Sequence, residues 1–219
     1  MKKIPIYFMP GLAASPEIFE NLTLDKEKYS LHYLKWIAPL DLDEGIANYA
    51  YRLSAFIKEE NPVLVGVSFG GILVQEMALF VKPRKVIIIS SVKNQNELPQ
   101  KFKFAKFTKI YKLFPTKVVE NFEQYAQYFL GKPLKKKADL YKKYLSVRDK
   151  TYLKWSIYNV LKWKQLNPIK SIVHIHGNKD TVFPIKNIKN SIEIKGGTHV
   201  MILMKAKQIT KIIDTVLTC

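Results

Sequence analysis

One stretch constrains this chain more than any other: Asn61-Pro62-Val63-Leu64-Val65-Gly66-Val67-Ser68-Phe69-Gly70-Gly71. Its first half is a short apolar run behind a proline, the pattern of a buried strand. Its second half contains G-x-S-x-G, and an apolar helical pattern follows to about Val81. A strand that passes into a helix through so few residues must turn sharply. The serine at the apex takes a strained backbone, and the flanking glycines leave room for neighbouring backbone. Its hydroxyl is then held up at the sheet edge, near a helix N-terminus. A tight turn with an idle serine would use the same glycines, so the strand–turn–helix context is what gives the motif weight.

The same alternation recurs along the chain. Apolar runs over 3–9, 29–36, 61–68, 85–90, 171–176 and 191–195 read as strands. Ser15, with Pro16 behind it, and Asp43 are expected to cap helices. Ile46, Tyr49, Ala50, Leu53, Phe56 and Ile57 recur at helical spacing, and 205–217 reads as a final amphipathic helix. Strands alternating with helices predict an α/β class with a mostly parallel sheet and helices on both faces. Near-continuous apolar strands suit a sheet covered on both sides.

The alternation stops between 98 and 165, where the pattern is helical, aromatic and basic. Phe104, Phe107, Tyr111 and Phe114 are spaced to share a face, as are Val118, Phe122, Tyr125 and Phe129. Asp149 is placed to cap a further helix carrying Leu153, Ile157, Val160 and Leu161. The expected organisation is one α/β core, 1–97 and 166–219, with 98–165 inserted as a helical, basic cap.

A serine hydroxyl needs an adjacent base to act as a nucleophile. The chain has His32, His174, His176 and His199. His32 and His174 fall inside predicted strands, and His176 at a strand end is a weaker rival. His199, in Gly196-Gly197-Thr198-His199, comes after the last strand, where loops at the carboxyl end of a sheet can converge. Such a base needs a carboxylate to fix its tautomer. Asp180 comes after the preceding strand, in Gly177-Asn178-Lys179-Asp180, and no acid directly follows the 85–90 strand.

The three motifs, Gly66-Val67-Ser68-Phe69-Gly70-Gly71, Gly177-Asn178-Lys179-Asp180 and Gly197-Thr198-His199, resemble those of the α/β-hydrolase superfamily, in the same chain order. The resemblance covers nearly the whole chain and implies a Ser-His-acid mechanism beneath a variable cap. Ser68 would be the nucleophile, His199 the base and Asp180 the orienting acid. Backbone N–H groups of Phe69 and of Leu12, or Ala13, would hold the oxyanion. The sequence departs from the family pattern at Pro10-Gly11-Leu12, where His-Gly is usual. The expected reaction is hydrolysis of a carboxylic ester or thioester, with no cofactor and no metal. A lyase using the same residues is the alternative within the fold.

The net charge of +18 is the chain's other marked property. Residues 101–164 carry seventeen Lys/Arg against four acids, thirteen of those eighteen charges. A lysine-rich composition throughout is one reading of this. Docking of an acidic partner is the other. An acyl carrier protein presenting an acyl group would fit, with a thin resemblance to capped esterases acting on carrier-bound pimeloyl methyl ester, and an anionic membrane surface would fit the same charge. Nucleic acid is suggested by charge alone and is not the expected partner. Cys219 is the single cysteine, and the apolar run after Lys2 and Lys3 is short and broken by Pro5, Pro10 and Gly11. Both features predict a cytoplasmic protein.

Overall fold

A computed structural model describes residues 2–100, 102, 104, 143–165, 169 and 171–218. The expected helical faces around Phe107 to Phe129 lie outside them. Among the described residues six strands form one parallel sheet: β1 (Ile4–Met9), β2 (Tyr29–Tyr33), β3 (Val63–Val67), β4 (Lys85–Ile89), β5 (Ile172–Gly177) and β6 (Ile192–Ile194). Their order is β2-β1-β3-β4-β5-β6. The helices are α1 (Ile46–Ser54), α2 (Phe69–Val81), α3 (Lys150–Lys162), α4 (Met201–Met204) and α5 (Ala206–Thr218).

Side chains alternate across the sheet, and each face has its own core. Tyr7, Met9, Leu64, Val86 and Ile88 face α1, α2 and α3, whose Tyr49, Leu53, Ile72, Met77, Tyr152 and Trp155 complete one cluster. Ile6, Phe8, Val63, Val65, Ile87, Ile89 and Ile175 face the short 3-10 turn Pro16–Phe19 and α5, with Ile18, Phe19, Ile209 and Ile213. Fully burying each such aliphatic or aromatic side chain is worth about 1.5–3 kcal/mol. α2 is buried on every side from Phe69 to Met77, which suits an apolar sequence without a polar stripe there, while Leu79 and Phe80 in its last turn are exposed. α3 belongs to the stretch expected as a cap, yet its Trp155 is fully buried in the main core.

Two local expectations are corrected. Asp43 does not cap α1; the N-cap is Gly45. Glu44 organises this turn instead, accepting from Arg52 Nε and Nη2, both at 2.9 Å, from Asn48 Nδ2 at 3.0 Å and from the Leu40 N–H at 2.8 Å. Ser15 precedes the Pro16 turn, but its side chain makes no cap bond. Asp149 does cap α3, accepting from the Tyr152 N–H at 2.7 Å. No described helix is long and apolar enough to cross a membrane.

The strand order fixes where loops diverge. β1 leads to β2 on one side, and β3 lies on the other side of β1, so chain direction across the sheet reverses between β1 and β3. The crevice outside the carboxyl ends of these two strands is the topological switch point, where ligands bind in open α/β sheets. The loops 10–15 and 67–69 leave the sheet there.

Candidate active site

Ser68 occupies the turn between β3 and α2 with φ 53° and ψ −119°. A non-glycine residue in this region carries strain of order 1–3 kcal/mol. The surroundings enforce it. A Cβ on Gly66 would stand 2.3 Å from the Gly70 carbonyl oxygen, and one on Gly70 would stand 2.3 Å from that of Pro10. Only bare backbone allows the elbow to close against itself and against β1. The Ser68 N–H bonds to Ile89 O at 2.9 Å, and its carbonyl accepts from Ser91 Oγ at 2.7 Å. The peptide on either side of Ser68 is therefore tied to the end of β4.

The structure brings Ser68, His199 and Asp180 into one line. His199 Nε2 lies 2.9 Å from Ser68 Oγ, and His199 Nδ1 lies 2.9 Å from Asp180 Oδ2. An ionised carboxylate only accepts, so Nδ1 carries the proton and Nε2 presents its lone pair to the serine hydroxyl. This is the tautomer that proton abstraction from Ser68 requires. Asp180 Oδ1 accepts from the N–H groups of Val182 at 2.8 Å and Phe183 at 2.9 Å. The Asp180 side chain is fully buried. Burial alone would push its pKa up, but the His199 contact, the Phe183 N–H and His176 outweigh that and hold it below the ordinary carboxylate value. The Phe183 ring stands edge-on to His199 at 5.5 Å and limits the tilt of the imidazole.

Backbone contacts place the two loops that carry Asp180 and His199. A Cβ on Gly177 would lie 2.2 Å from Gly197 O, so the loops meet at van der Waals distance. The Lys179 N–H donates to Gly197 O at 2.8 Å, and the Gly196 N–H donates to Asn178 Oδ1 at 2.8 Å.

Loop 10–15 runs beside the serine: a Cβ on Gly11 would sit 3.4 Å from that of Ser68. Trp36 Nε1 donates to the carbonyls of Gly11 and Ala14, each at 3.1 Å. Its ring stacks on Phe69 with centroids 5.3 Å apart and planes at 9°. Among the described residues no backbone carbonyl accepts from the Leu12 N–H. The Phe69 N–H belongs to the first turn of α2, where amides have no carbonyl one turn back.

Of the remaining histidines, His32 is on β2, 2.8 Å from Ser30 Oγ. His174 and His176 are buried on β5, and it is Asp180, not Ser68, that His176 approaches. Trp36, Phe183 and Ser91 touch the site without any signal in the sequence, and His176 lies beside Asp180. Each acts through a contact between distant loops that no local pattern announces. Among the described residues no group of three His, Cys, Asp or Glu could hold a metal ion.

No protein-family model matches the sequence, and no curated protein matches it. Solved structures do. A lipase-esterase related protein from Clostridium acetobutylicum superposes with a TM-score of 0.68 at 18% identity, over 96% of this chain and 93% of that one. A bromoperoxidase from Bacillus anthracis gives 0.74 at 17%, over 100% and 93%. An epoxide hydrolase from Bacillus megaterium gives 0.70 at 13%, over 100% and 94%. The chain has the α/β-hydrolase fold.

Proposed function

We propose that this protein is a serine hydrolase that cleaves a carboxylic ester or thioester through an acyl-enzyme on Ser68. The observation that carries this reading is the line Ser68 Oγ–His199–Asp180, with 2.9 Å at each step and the imidazole tautomer set by a buried carboxylate. Among its fold neighbours are proteins described as esterase-related and as an esterase, which supports the same reading.

In the proposed reaction Ser68 Oγ attacks the substrate carbonyl carbon as its proton passes to His199 Nε2. The carbonyl π electrons move onto oxygen, and the N–H groups of Phe69 and Leu12 hold that oxyanion. Asp180 stabilises the imidazolium. When the tetrahedral species collapses, the leaving alcohol or thiol takes the proton from His199 Nε2. Water then attacks the acyl carbonyl with His199 again as base, which releases the acid and restores Ser68. The basic stretch 98–165 would select the substrate, and its charge favours an acyl group delivered by an acidic carrier protein.

The test is turnover of a p-nitrophenyl acyl ester series, with Ser68→Ala as control and mass spectrometry of Ser68 after exposure to an organophosphonate. Hydrolysis that Ser68→Ala abolishes, with the label on Ser68, is the expected result. Hydrolysis that survives the substitution would sink the proposal. A labelled serine with no turnover of any ester or thioester would move the reading to a lyase of the same fold.

A further inference from the structure

Beneath Asp180 lie two buried histidines that the proposed reaction does not use. His174 is 1% exposed and His176 is 0% exposed. Both are on β5, two residues apart and hence on one face. Their rings meet edge-on, with centroids 5.0 Å apart. His176 Nε2 lies 2.8 Å from Phe183 O, a carbonyl that can only accept, so Nε2 carries the proton. The same nitrogen lies 3.6 Å from Asp180 Oδ2, the oxygen that accepts from His199. His176 Nδ1 is then the acceptor, and His174 Nε2, 3.0 Å away, is its donor. The direction of every proton in this line is set by one carbonyl.

Burial holds the line neutral. It pushes His174 down to about 3, helped by His176 and Lys93, and it lowers His176 as well. The titratable groups around His176 are His174 on its own strand, Asp180 in the following loop and His199 after β6. Beyond His174 stands Lys93, after β4, whose Nζ lies 3.8 Å from Glu97. On β6 the register partner of His176 is Glu193, which accepts from Asn178 Nδ2 and so is engaged elsewhere.

We propose that His176 is a positioning residue for the triad: its Nε2–H anchors the 180–183 turn through Phe183 O and so holds Asp180 against His199. The assignment rests on the reading of Ser68, His199 and Asp180 as a catalytic triad. Phe183 joins the parts. Its carbonyl accepts from His176, its N–H holds Asp180 Oδ1, and its ring packs on His199. Without the His176 donor the Phe183 carbonyl loses its partner, the 180–183 turn can shift, and Asp180 is no longer held 2.9 Å from His199 Nδ1.

Two substitutions of similar polarity separate this role from packing. His176→Gln keeps an amide N–H near the Nε2 position. His176→Asn keeps an acceptor for His174 but is too short to reach Phe183. The readouts are the His199 Nδ1–H resonance followed by NMR, which needs no substrate and reports the bond to Asp180, and kcat and KM on a p-nitrophenyl ester. His176→Asn is expected to weaken or broaden the Nδ1–H signal and to lower kcat about tenfold with little change in KM. His176→Gln should stay within about threefold of the parent, with the signal unmoved. Equal losses in both variants with an unmoved Nδ1–H signal would overturn the proposal, as would an Asn variant that behaves like the parent. NMR of the unsubstituted protein gives a check independent of any variant, because a His176 protonated on Nδ1 contradicts the assignment outright. Should the parent hydrolyse no ester, the hydrolase reading fails, and the His199 Nδ1–H signal still decides the role of His176.

Discussion

Replacing Asp180 by Asn changes one atom in a place where every neighbour is a donor. Oδ1 accepts two backbone N–H groups at 2.8 and 2.9 Å, and Oδ2 accepts the His199 Nδ1–H at 2.9 Å. An Asn can direct its oxygen to only one of these sides. Turned toward Val182 and Phe183, it keeps two bonds and sets its NH2 against the His199 Nδ1–H. Turned the other way, it sets two hydrogens against two backbone donors. The first arrangement leaves fewer unmade bonds, and an unmade bond costs about 1–3 kcal/mol for a buried group. His199 then relieves the clash by moving its proton to Nε2, where it faces Ser68 Oγ and can no longer accept. The same tautomer inversion in serine proteases costs about 10⁴ in turnover, or ~5 kcal/mol of transition-state stabilisation. Asp180→Asn should therefore fold, keep its KM and lose about 10⁴ of kcat on a p-nitrophenyl ester. A loss below about tenfold, with NMR still showing the proton on His199 Nδ1, would refute the reasoning.

Acid lability should follow from His174. Its folded value, about 3, lies below the ordinary 6.5. The unfolded chain thus takes up a proton through 6.5 while the folded protein does not. Stability is complete above that pH and falls by up to about 1.4 kcal/mol per pH unit down toward pH 3. Urea unfolding at pH 7, 6 and 5 should show a shallower decline in His174→Gln, and identical slopes would contradict the assignment. Gly70→Ala should lower Tm strongly and abolish activity, since its new Cβ would meet the Pro10 and Met9 carbonyl oxygens at 2.3 and 2.4 Å; a melt within a degree of the parent would show that β1 yields instead. Trp36→Phe keeps the ring stacked on Phe69 but removes both bonds to loop 10–15. It should reduce kcat about tenfold with little change in KM, as expected if that loop supplies an oxyanion donor; an unchanged kcat would detach the loop from catalysis.

The strands were legible because a parallel sheet covered on both faces demands unbroken apolar runs, and each of the six runs became a strand. β2 stops at Tyr33 although the run continues to Trp36, because after the Leu34 N–H bonds to Phe8 O the chain turns Trp36 toward Gly11 and Ala14. The convergence of Ser68, Asp180 and His199 was legible from chain order and strand ends. Their supports were not. Asp43 has the better capping propensity, but Glu44 has Arg52 eight residues on and Trp155 Nε1 on its own carbonyl at 2.7 Å. Only tertiary packing creates that choice. Phe183 and His176 owe their roles to a turn that folds back on β5, and nothing in the spacing distinguishes His176 as a neighbour of the acid from His176 as a rival base.

The sheet order also explains how residues so distant in sequence meet. Ser68 comes after β3, Asp180 after β5 and His199 after β6, so Asp180 and His199 must reach past the end of β4 to Ser68. The residues that leave β4 therefore have to be small. Ser90 and Ser91 stand there, both fully buried. Ser91 also turns its hydroxyl to the Ser68 carbonyl at 2.7 Å, and Gly71 lies so close that a Cβ there would be 2.5 Å from Ser91 Oγ. A large side chain at Ser91 would meet Gly71 and displace the Ser68 carbonyl. It should thus move Ser68 away from His199 while Asp180 and His199 keep every bond to their own loops.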